Sequence, residues 1–396
     1  MMRARGQQRD RRGRRRSERG AAAALVVVIL AAGVMFGAAA LAVDVGNIML
    51  DRRQQQNGAD AGAYRLAQLC GKDATLCTTS NATAPVTTAI QGNFSGLTAD
   101  HSGQIKKICG RVPGATIPTC TSATTDADLK YLGECPPLPS KYKSNPKLKY
   151  VEVYSKTLNN ATGTDKLRGF FSQQATSTDA CARYGWGPAK KTGVLPLTFG
   201  ACEWARAVGA TYNTVTKTFD TSAAVWGKEV ALGVNYDTKN ATCANFNGHD
   251  YAGGFGWLDH PTGVCEVSAD KNAWVPGWPG NGTGNDCLPK LNVGVEIFIP
   301  IYDCINDSKT FCPNDTVSSK TNYHIAGMAA FVVTAVDLTG KTIGTPGADA
   351  KNDCQFQTNN KQCIYGKFVK DLVGVGEIDT DPNASDFGYS VTEAAG

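Results

Sequence analysis

The sequence lacks the patterns that most hydrolases, metalloproteases and nucleotide-binding enzymes carry. It has four histidines and no HExxH, GxSxG or P-loop pattern. His249 and His260 each stand next to a carboxylate, and neighbours in sequence rarely face each other. No CxxC pair occurs, which excludes the usual zinc clasp. These absences predict a protein that is not an enzyme and that holds no cofactor.

Net positive charge is confined to one end of the chain. Nine arginines lie between Arg3 and Arg19, against Asp10 and Glu18, so the first twenty residues carry a net +7. The whole chain carries +5, which leaves the remainder at −2. The bulk of the protein therefore offers no basic footprint for nucleic acid, and no nucleic-acid partner is expected.

A long uncharged block follows this tail, the 23 residues from Ala21 to Val43. As a helix it would be roughly 34 Å long, enough to cross a bilayer core of about 30 Å. Cationic flanks stay cytoplasmic. The sequence thus predicts a cytoplasmic tail over 1–20, a transmembrane helix over 21–43 and everything after Asp44 outside, in a single-pass protein of the cytoplasmic membrane.

Two cleavage sites offer alternatives to a permanent anchor. Ala40-Leu41-Ala42 is an A-x-A sequence after an apolar core, which signal peptidase could cut after Ala42. Processing after Gly20 would follow the prepilin pattern, but prepilins normally have Glu five residues after the cut and this chain has Leu25.

Glycines recur at a spacing that allows helices to pack closely. Gly33 and Gly37 form a GxxxG step inside the uncharged block, and Gly58 and Gly62 repeat that spacing beyond it. The functional interpretation is a helix-packing face, with homo-oligomers formed through the N-terminal helix. The alternative is that small residues are simply common in such helices, and that the second pair marks a helix break near Asn57.

Residues 44–70 have the composition of a helix, rich in Gln, Ala, Arg and Leu and without proline. The string AVDVGN, followed by RRQQQNGADAGA, resembles the Flp (tight adherence) pilus-assembly TadE/TadG-like family. Members typically show an AVDxG step and then QNxADAAAL. The matching positions are Ala42, Val43, Asp44, Gly46, Gln56, Asn57, Ala59, Asp60, Ala61 and Ala63. The chain departs from the family at Gly58 and Gly62, where Ala is more frequent, and at Tyr64, where Leu is usual.

The resemblance implies a bacterial cell-envelope protein of a pilus or adhesion system. It would be anchored by one helix, would have the membrane and other pilus-assembly components as partners, and would act in structure or assembly. An alternative is a cell-surface adhesin or glycan-binding module on the same anchor. That alternative depends on Trp257, Trp274 and Trp278, whose rings would stack on sugars if exposed; large aromatics in such a region are usually core.

Cysteine is absent before Cys70, which is the first of the 14 cysteines. An even count in an external segment indicates disulfides. Local pairs are expected where short loops close easily, namely Cys70–Cys77, Cys304–Cys312 and Cys354–Cys363.

A Pro- and Lys-rich stretch over 136–147 predicts a linker between a small Cys-containing lobe, 71–135, and a β-rich, disulfide-stapled region, 148–396. Five cysteines precede the linker and nine follow it, so at least one bridge must cross it if all pair within the chain. Alternation of apolar and polar residues predicts a strand at 149–157, and β-branched apolar runs predict strands at 293–302 and 325–336. Further strands are predicted at 230–236 and 365–375. The predicted fold class is α+β, a long N-terminal transmembrane and juxtamembrane helix followed by a mostly β ectodomain.

One metal site is suggested near the C-terminus. Asp379, Asp381 and Asn383 place oxygen atoms at alternating positions, as a calcium loop does, and Asp386 would add a ligand. The sixth and twelfth positions of such a loop hold Ala and Ser here, where Gly and Glu are normal. The alternative is an acidic surface turn.

Overall fold

The computed structural model describes residues 6–94, 101–120, 135–159, 167–168, 175–176, 179–213, 215, 218–233, 255–277, 287–306, 322–357 and 362–395. The helices are α1 (Gly6–Lys72), α2 (Thr79–Gln91), α3 (Ser140–Ser144), α4 (Ala201–Val208) and α5 (Ala348–Gln357). The strands before residue 221 are β1 (His101–Arg111), β2 (Lys149–Asn159), β3 (Leu167–Arg168), β4 (Ala175–Thr176), β5 (Asp179–Pro188), β6 (Lys191–Val194), β7 (Leu197–Gly200), β8 (Thr211–Asn213) and β9 (Thr218–Asp220). The later strands are β10 (Glu229–Gly233), β11 (Phe255–Trp257), β12 (Val267–Asp270), β13 (Trp274–Pro276), β14 (Glu296–Asn306), β15 (Asn322–Leu338), β16 (Lys341–Gly344), β17 (Cys363–Val369), β18 (Asp371–Val375) and β19 (Tyr389–Ala394).

Helix α1 is one continuous element that contains both predicted N-terminal helices. It holds no proline, and it runs through Asn57 and Gly58 without a break. From Ala23 to Lys72, α1 is long and apolar enough to cross a membrane. The most apolar stretch of this segment is not buried by the rest of the chain. The predicted α+β class, a long N-terminal apolar helix followed by a mostly strand-containing region, is confirmed.

Five strands form a sheet against which α1 packs, here called the helix-backed sheet, in the order β1-β2-β5-β19-β18. Strands β18 and β19 are parallel, and the other neighbours are antiparallel. Side chains alternate between the faces of a strand. Val151 and Val153 of β2 are consequently buried together in the core that the sheet forms with α1 and α2.

A larger sheet has the order β10-β17-β15-β14-β7-β11, with β13 and β16 also paired to β15. Strand predictions at 293–302 and 325–336 correspond to β14 and β15, and the prediction at 230–236 overlaps β10. The run predicted as one strand over 365–375 is two strands. It divides at Lys370, so that β17 joins the larger sheet and β18 the helix-backed sheet.

The two sheets meet through a shared apolar core. Tyr150 and Val391 from the helix-backed sheet lie in one buried cluster with Met328 and Ala330 from the larger sheet. The main core of the larger sheet also includes Trp204 of α4, which is fully buried. Three layers therefore follow one another, the pair α1 and α2, the helix-backed sheet, and the larger sheet.

The predicted division into a lobe, a linker and a second region differs from the structure. Strand β1, from 71–135, pairs along its length with β2, from 148–396, so the two regions share one sheet. The stretch 136–147 contains α3 and buries Tyr142 completely. The Tyr142 hydroxyl donates a hydrogen bond of 2.8 Å to Glu393. Proline and lysine content suggested exposure, but one buried aromatic side chain anchors the segment.

Five disulfides join pairs of described residues. The predicted pairs Cys70–Cys77 and Cys354–Cys363 are confirmed. Cys135–Cys181 spans the predicted linker, as the odd cysteine counts on its two sides require. Cys304 is disulfide-bonded, but Cys312 lies outside the described residues, so that predicted pair stays a prediction. The structure also shows two bridges that were not predicted, Cys109–Cys120 and Cys265–Cys287.

Removal of the Cys135–Cys181 bridge should destabilise the protein more than removal of Cys70–Cys77. In the chain-entropy model, a separation of 46 residues is worth about 4 kcal/mol and a separation of 7 about 2 kcal/mol. All four cysteines are buried, so Cys→Ala changes at both sites are matched. Urea unfolding of the full chain in detergent measures the two losses, and an equal or inverted order would contradict the expectation.

Candidate functional site

Close packing between α1 and α2 depends on two glycines of α1. A Cβ atom on Gly62 would lie 3.1 Å from Cγ1 of Ile90 and 3.2 Å from Cγ1 of Val86. A Cβ atom on Gly58 would lie 3.2 Å from the carbonyl oxygen of Ile90. These distances are tighter than ordinary van der Waals contact, so the missing side chains let α2 approach. This contact accounts for the two glycines that replace the alanines more frequent in the family.

The same face of α1 continues as an apolar stripe toward the C-terminal end of the helix. Ala59, Ala63, Leu66 and Ala67 are fully buried. They recur at the three- and four-residue spacing that places side chains on one side of a helix. Trp186 of β5 lies in the same buried cluster. This stripe holds the helix-backed sheet against α1.

On its N-terminal side the stripe becomes polar. Gln55, fully buried, donates a hydrogen bond of 2.5 Å from Nε2 to Oγ1 of Thr157 and accepts one of 2.8 Å from Oγ of Ser155. Thr157 in turn donates to Oδ2 of Asp51 at 2.9 Å. Ser155 and Thr157 are two residues apart on β2, so both face the helix. Each buried group has a partner, which avoids the cost of unpaired polar atoms.

Other side chains of the family signature contact β5. Gln56 donates to the carbonyl oxygen of Cys181 at 3.1 Å and to Asp60 at 3.3 Å. Burial raises the pKa of Asp60, while the hydrogen bond from Gln56 acts in the opposite direction. The ring of Tyr64, where the family usually has Leu, meets Tyr184 edge to face at 5.4 Å. The departure at this position therefore has a packing partner on the sheet.

A charged cluster at the C-terminal end of α1 joins it to both sheets. Nζ of Lys72 lies 3.2 Å from Oδ1 of Asp371, on β18. Glu296, on β14, has one carboxylate oxygen buried without a hydrogen-bond partner among the described residues. Desolvation raises the pKa of Glu296, the Asp371 carboxylate raises it further, and Lys72 opposes both. These residues are far apart in sequence, so no local pattern could have identified the cluster.

The glycines predicted to pack helices have different surroundings. Gly58 and Gly62 contact α2 within the chain, as described above. Gly33 and Gly37 have open space where a Cβ atom would stand. Oligomerisation through Gly33 and Gly37 stays a prediction.

At the suggested calcium loop, the carboxylates already have other partners. Nζ of Lys271 lies 2.5 Å from Oδ2 of Asp379 and 3.2 Å from Oδ2 of Asp381. Oδ1 of Asp379 and of Asp381 each accept a backbone N–H two residues on, from Asp381 and Asn383 respectively, and Oδ1 of Asp386 likewise accepts one. The ammonium group of Lys271 therefore lies between the two carboxylates that a calcium ion would need. The arrangement favours the acidic turn.

The tryptophans considered for sugar stacking are packed against protein where they are described. Trp257 is half-buried against the main core of the larger sheet. The ring of Trp274 lies 5.1 Å from that of His324, whose Nδ1 is 2.6 Å from Oδ1 of Asp303. Trp278 lies outside the described residues. Sequence adjacency did not indicate the His324–Asp303 pair, since the two residues are on neighbouring strands.

These features define a class of protein, a disulfide-containing, strand-rich body packed on the end of a long helix that could span a membrane. Residues 20–66 match the family model described as "Putative Flp pilus-assembly TadE/G-like", which confirms the resemblance found in the sequence over that segment. The match includes the apolar block, the polar contacts of Gln55 and both packed glycines. No curated protein and no solved structure matches the chain.

Replacement of Gly62 by Leu should destabilise the protein, because the new side chain would have to enter the space held by Ile90 and Val86. Overpacking of this kind costs about 1–3 kcal/mol. Thermal unfolding of the full chain in detergent measures the effect. The matched control is Gly46→Leu in the same helix, where nothing lies within 4 Å of the added Cβ atom. A similar loss of stability in both variants would contradict the packing role.

Replacement of Glu296 by Gln should make stability less dependent on pH. Its folded-state pKa lies above the ordinary value of 4.5, so the native state holds its proton more tightly than the unfolded chain does. The wild type should therefore lose stability as pH rises from about 4.5 through the folded-state pKa, and the variant should not.

Melting temperatures measured between pH 4.5 and 7 test this expectation. The difference, variant minus wild type, should grow with pH. Glu377→Gln is the control, because that exposed carboxyl has a pKa lowered by Lys190 and should show no such growth. A constant difference for Glu296→Gln would contradict the assignment.

Proposed function

We propose that this protein is a membrane-anchored, extracytoplasmic structural or assembly component of a Flp-type pilus system. The observation that carries the proposal is the coincidence of two features in one segment. Residues 20–66, which match the pilus-assembly family, also include most of the interface between α1 and the β-rich body. The family segment thus provides both the apolar span and the packed face that holds the β-rich body on α1.

The charge distribution supports an orientation with the N-terminus in the cytoplasm and the β-rich body outside. The arginine tail precedes the apolar block, and positively charged flanks are retained on the cytoplasmic side. Disulfides in the body fit an oxidising compartment. In this proposal the chain keeps its anchor; cleavage after Gly20 or Ala42 would give a different mature N-terminus.

We infer that the protein acts without catalysis. The sequence has none of the hydrolase or nucleotide-binding patterns considered above. The buried charged pair Arg183–Glu152 links parts of the fold, because Arg183 also donates hydrogen bonds to the carbonyl oxygens of Pro136 and Ala395. Its role is to hold the C-terminal strand and the segment before α3 against β5.

Self-association through the membrane helix is part of the proposal. Gly33 and Gly37 lie on one side of α1 with open space around them. Small residues at this spacing let two helix backbones approach closely in lipid, where packing rather than hydrophobicity drives association. The partner at this face would be a second copy of the chain.

Deletion of the gene in its own cells, followed by complementation, tests the function. The wild-type chain should restore assembled pili and should co-purify with pilus components after mild cross-linking. Gly33→Leu/Gly37→Leu should reduce cross-linked dimers of two differently tagged copies. Ala31→Leu/Met35→Leu is the matched control, since two residues of an α-helix correspond to roughly 200° of rotation and place the changes on the opposite side.

Two results would overturn these proposals separately. Normal pili in the deletion strain, together with no pilus component in the purified material, would refute the assembly role. Equal dimer yields from both double variants would refute self-association through the glycine face and leave the assembly role standing. N-terminal sequencing of the purified chain reports in the same experiment whether the anchor is retained.

A further inference from the structure

A small groove lies beside α1 where the β-rich body comes closest to the apolar block. Its volume is about 340 Å³, and it is formed by one side of the helix and the beginning of β5. The residues that line it are Met49, Arg52, Arg53, Gln56, Asp179 and Ala180. Two adjacent cations and one apolar side chain thus border the same space.

This inference rests on the proposed membrane anchor, in which the position of the groove along α1 places it at a membrane surface. The last exposed large apolar side chains of the helix are Val45 and Met49, and Arg52 and Arg53 follow within about one turn, or 5.4 Å. Side chains of a helix lean toward its N-terminus, here toward the apolar block. The headgroup layer adds roughly 5–7 Å on each side of the hydrocarbon core. The two guanidinium groups can therefore reach lipid headgroups.

The positive charge of the groove is not neutralised within the described part of the chain. Neither Arg52 nor Arg53 has a carboxylate partner within ion-pair distance among the described residues. Asp179 borders the groove, but its carboxylate lies 2.6 Å from Nζ of Lys106. Asp51, the nearest acidic residue in sequence, is buried and bonded to Thr157.

Further lysines surround the same end of the body. In the strand register, Gln104 and Ile105 of β1 lie opposite Lys156 and Ser155 of β2, and Ser155 is bonded to Gln55 of α1. Lys106, Lys107 and Lys156 are consequently at the level of the polar contacts of α1. Among the described residues this end thus gathers several cations, of which Lys106 is paired with Asp179, although the protein outside its arginine tail has a net negative charge.

We propose that this groove binds the phosphodiester headgroup of an anionic phospholipid in the leaflet that faces the β-rich body. Arg52 and Arg53 would hold the phosphate oxygens, since guanidinium groups match phosphate geometry with paired hydrogen bonds. Met49 would contact the upper part of an acyl chain. The lipid would fill the corner between α1 and β5 and so fix the angle of the body over the membrane.

Native mass spectrometry of the full chain in a mild nonionic detergent tests the proposal. Titration with short-chain phosphatidylglycerol should show one tightly bound lipid, and phosphatidylcholine should bind less well. Arg52→Gln/Arg53→Gln should weaken phosphatidylglycerol binding about 30-fold, the effect expected for loss of two cations near an anionic surface. Arg52→Lys/Arg53→Lys keeps the charge but loses the paired hydrogen bonds, so it should bind phosphatidylglycerol more tightly than the Gln variant and less tightly than the wild type.

The control is Lys190→Gln/Lys191→Gln, another adjacent pair of exposed cations. That pair follows the far end of β5, roughly 30 Å from Asp179 at about 3.3 Å per residue, and its loss should not change lipid binding. Equal binding of the two lipids, or unchanged binding after loss of both arginines, would overturn the proposal. Displacement of the lipid by inorganic phosphate alone would indicate a simple anion site and would also overturn it.

Discussion

The contact between the small-residue face of α1 and the pair formed by α2 and the helix-backed sheet determines the rest of the structure. Gly58 and Gly62 bring two helix backbones together, and Ala59 and Ala63 let the sheet approach next to them. Because helix residues rotate by about 100° each, a shift of one position would bring Asn57, or Asp60 and Tyr64, into this contact. The rotation of the anchor relative to the body is thereby fixed by side-chain volume.

The polar contacts at the lower end of this face add selectivity to the apolar ones. Apolar packing tolerates small shifts of the helix along the sheet, whereas a buried amide such as Gln55 requires specific partners. Without Ser155 or Thr157, polar atoms of Gln55 would be unpaired, at a cost of about 1–3 kcal/mol each. Alternation along β2 supplies both hydroxyl groups on the same side. The register of α1 against β2 is therefore set by hydrogen bonds near the apolar block and by side-chain volume further along the helix.

Local sequence patterns predicted the features that depend on neighbouring residues. The uncharged block, the continuous helix composition, the strands at 149–157 and 325–336 and the disulfides Cys70–Cys77 and Cys354–Cys363 belong to this group. Features that depend on distant pairs were missed or misplaced. The stretch 365–375 was one apolar run in the sequence, but Lys370 marks the point where the chain leaves one sheet for the other. Tyr142 looked like part of a linker, because nothing in its neighbours indicates the cavity that Gly185 leaves for its ring.

The two ends of the α1 interface have different consequences for the anchor. At the upper end, Lys72 meets Asp371 and approaches Glu296, so that one helix terminus is tied to both sheets. At the lower end, Asp51 and Gln55 tie the helix to β2. The interval between them is roughly 30 Å of helix without proline. A helix held at both ends of such an interval does not hinge within it, so the part of α1 from Asp51 to Lys72 moves as one unit with the β-rich body. A lipid held by Arg52 and Arg53 would then act on this unit at its end nearest the apolar block.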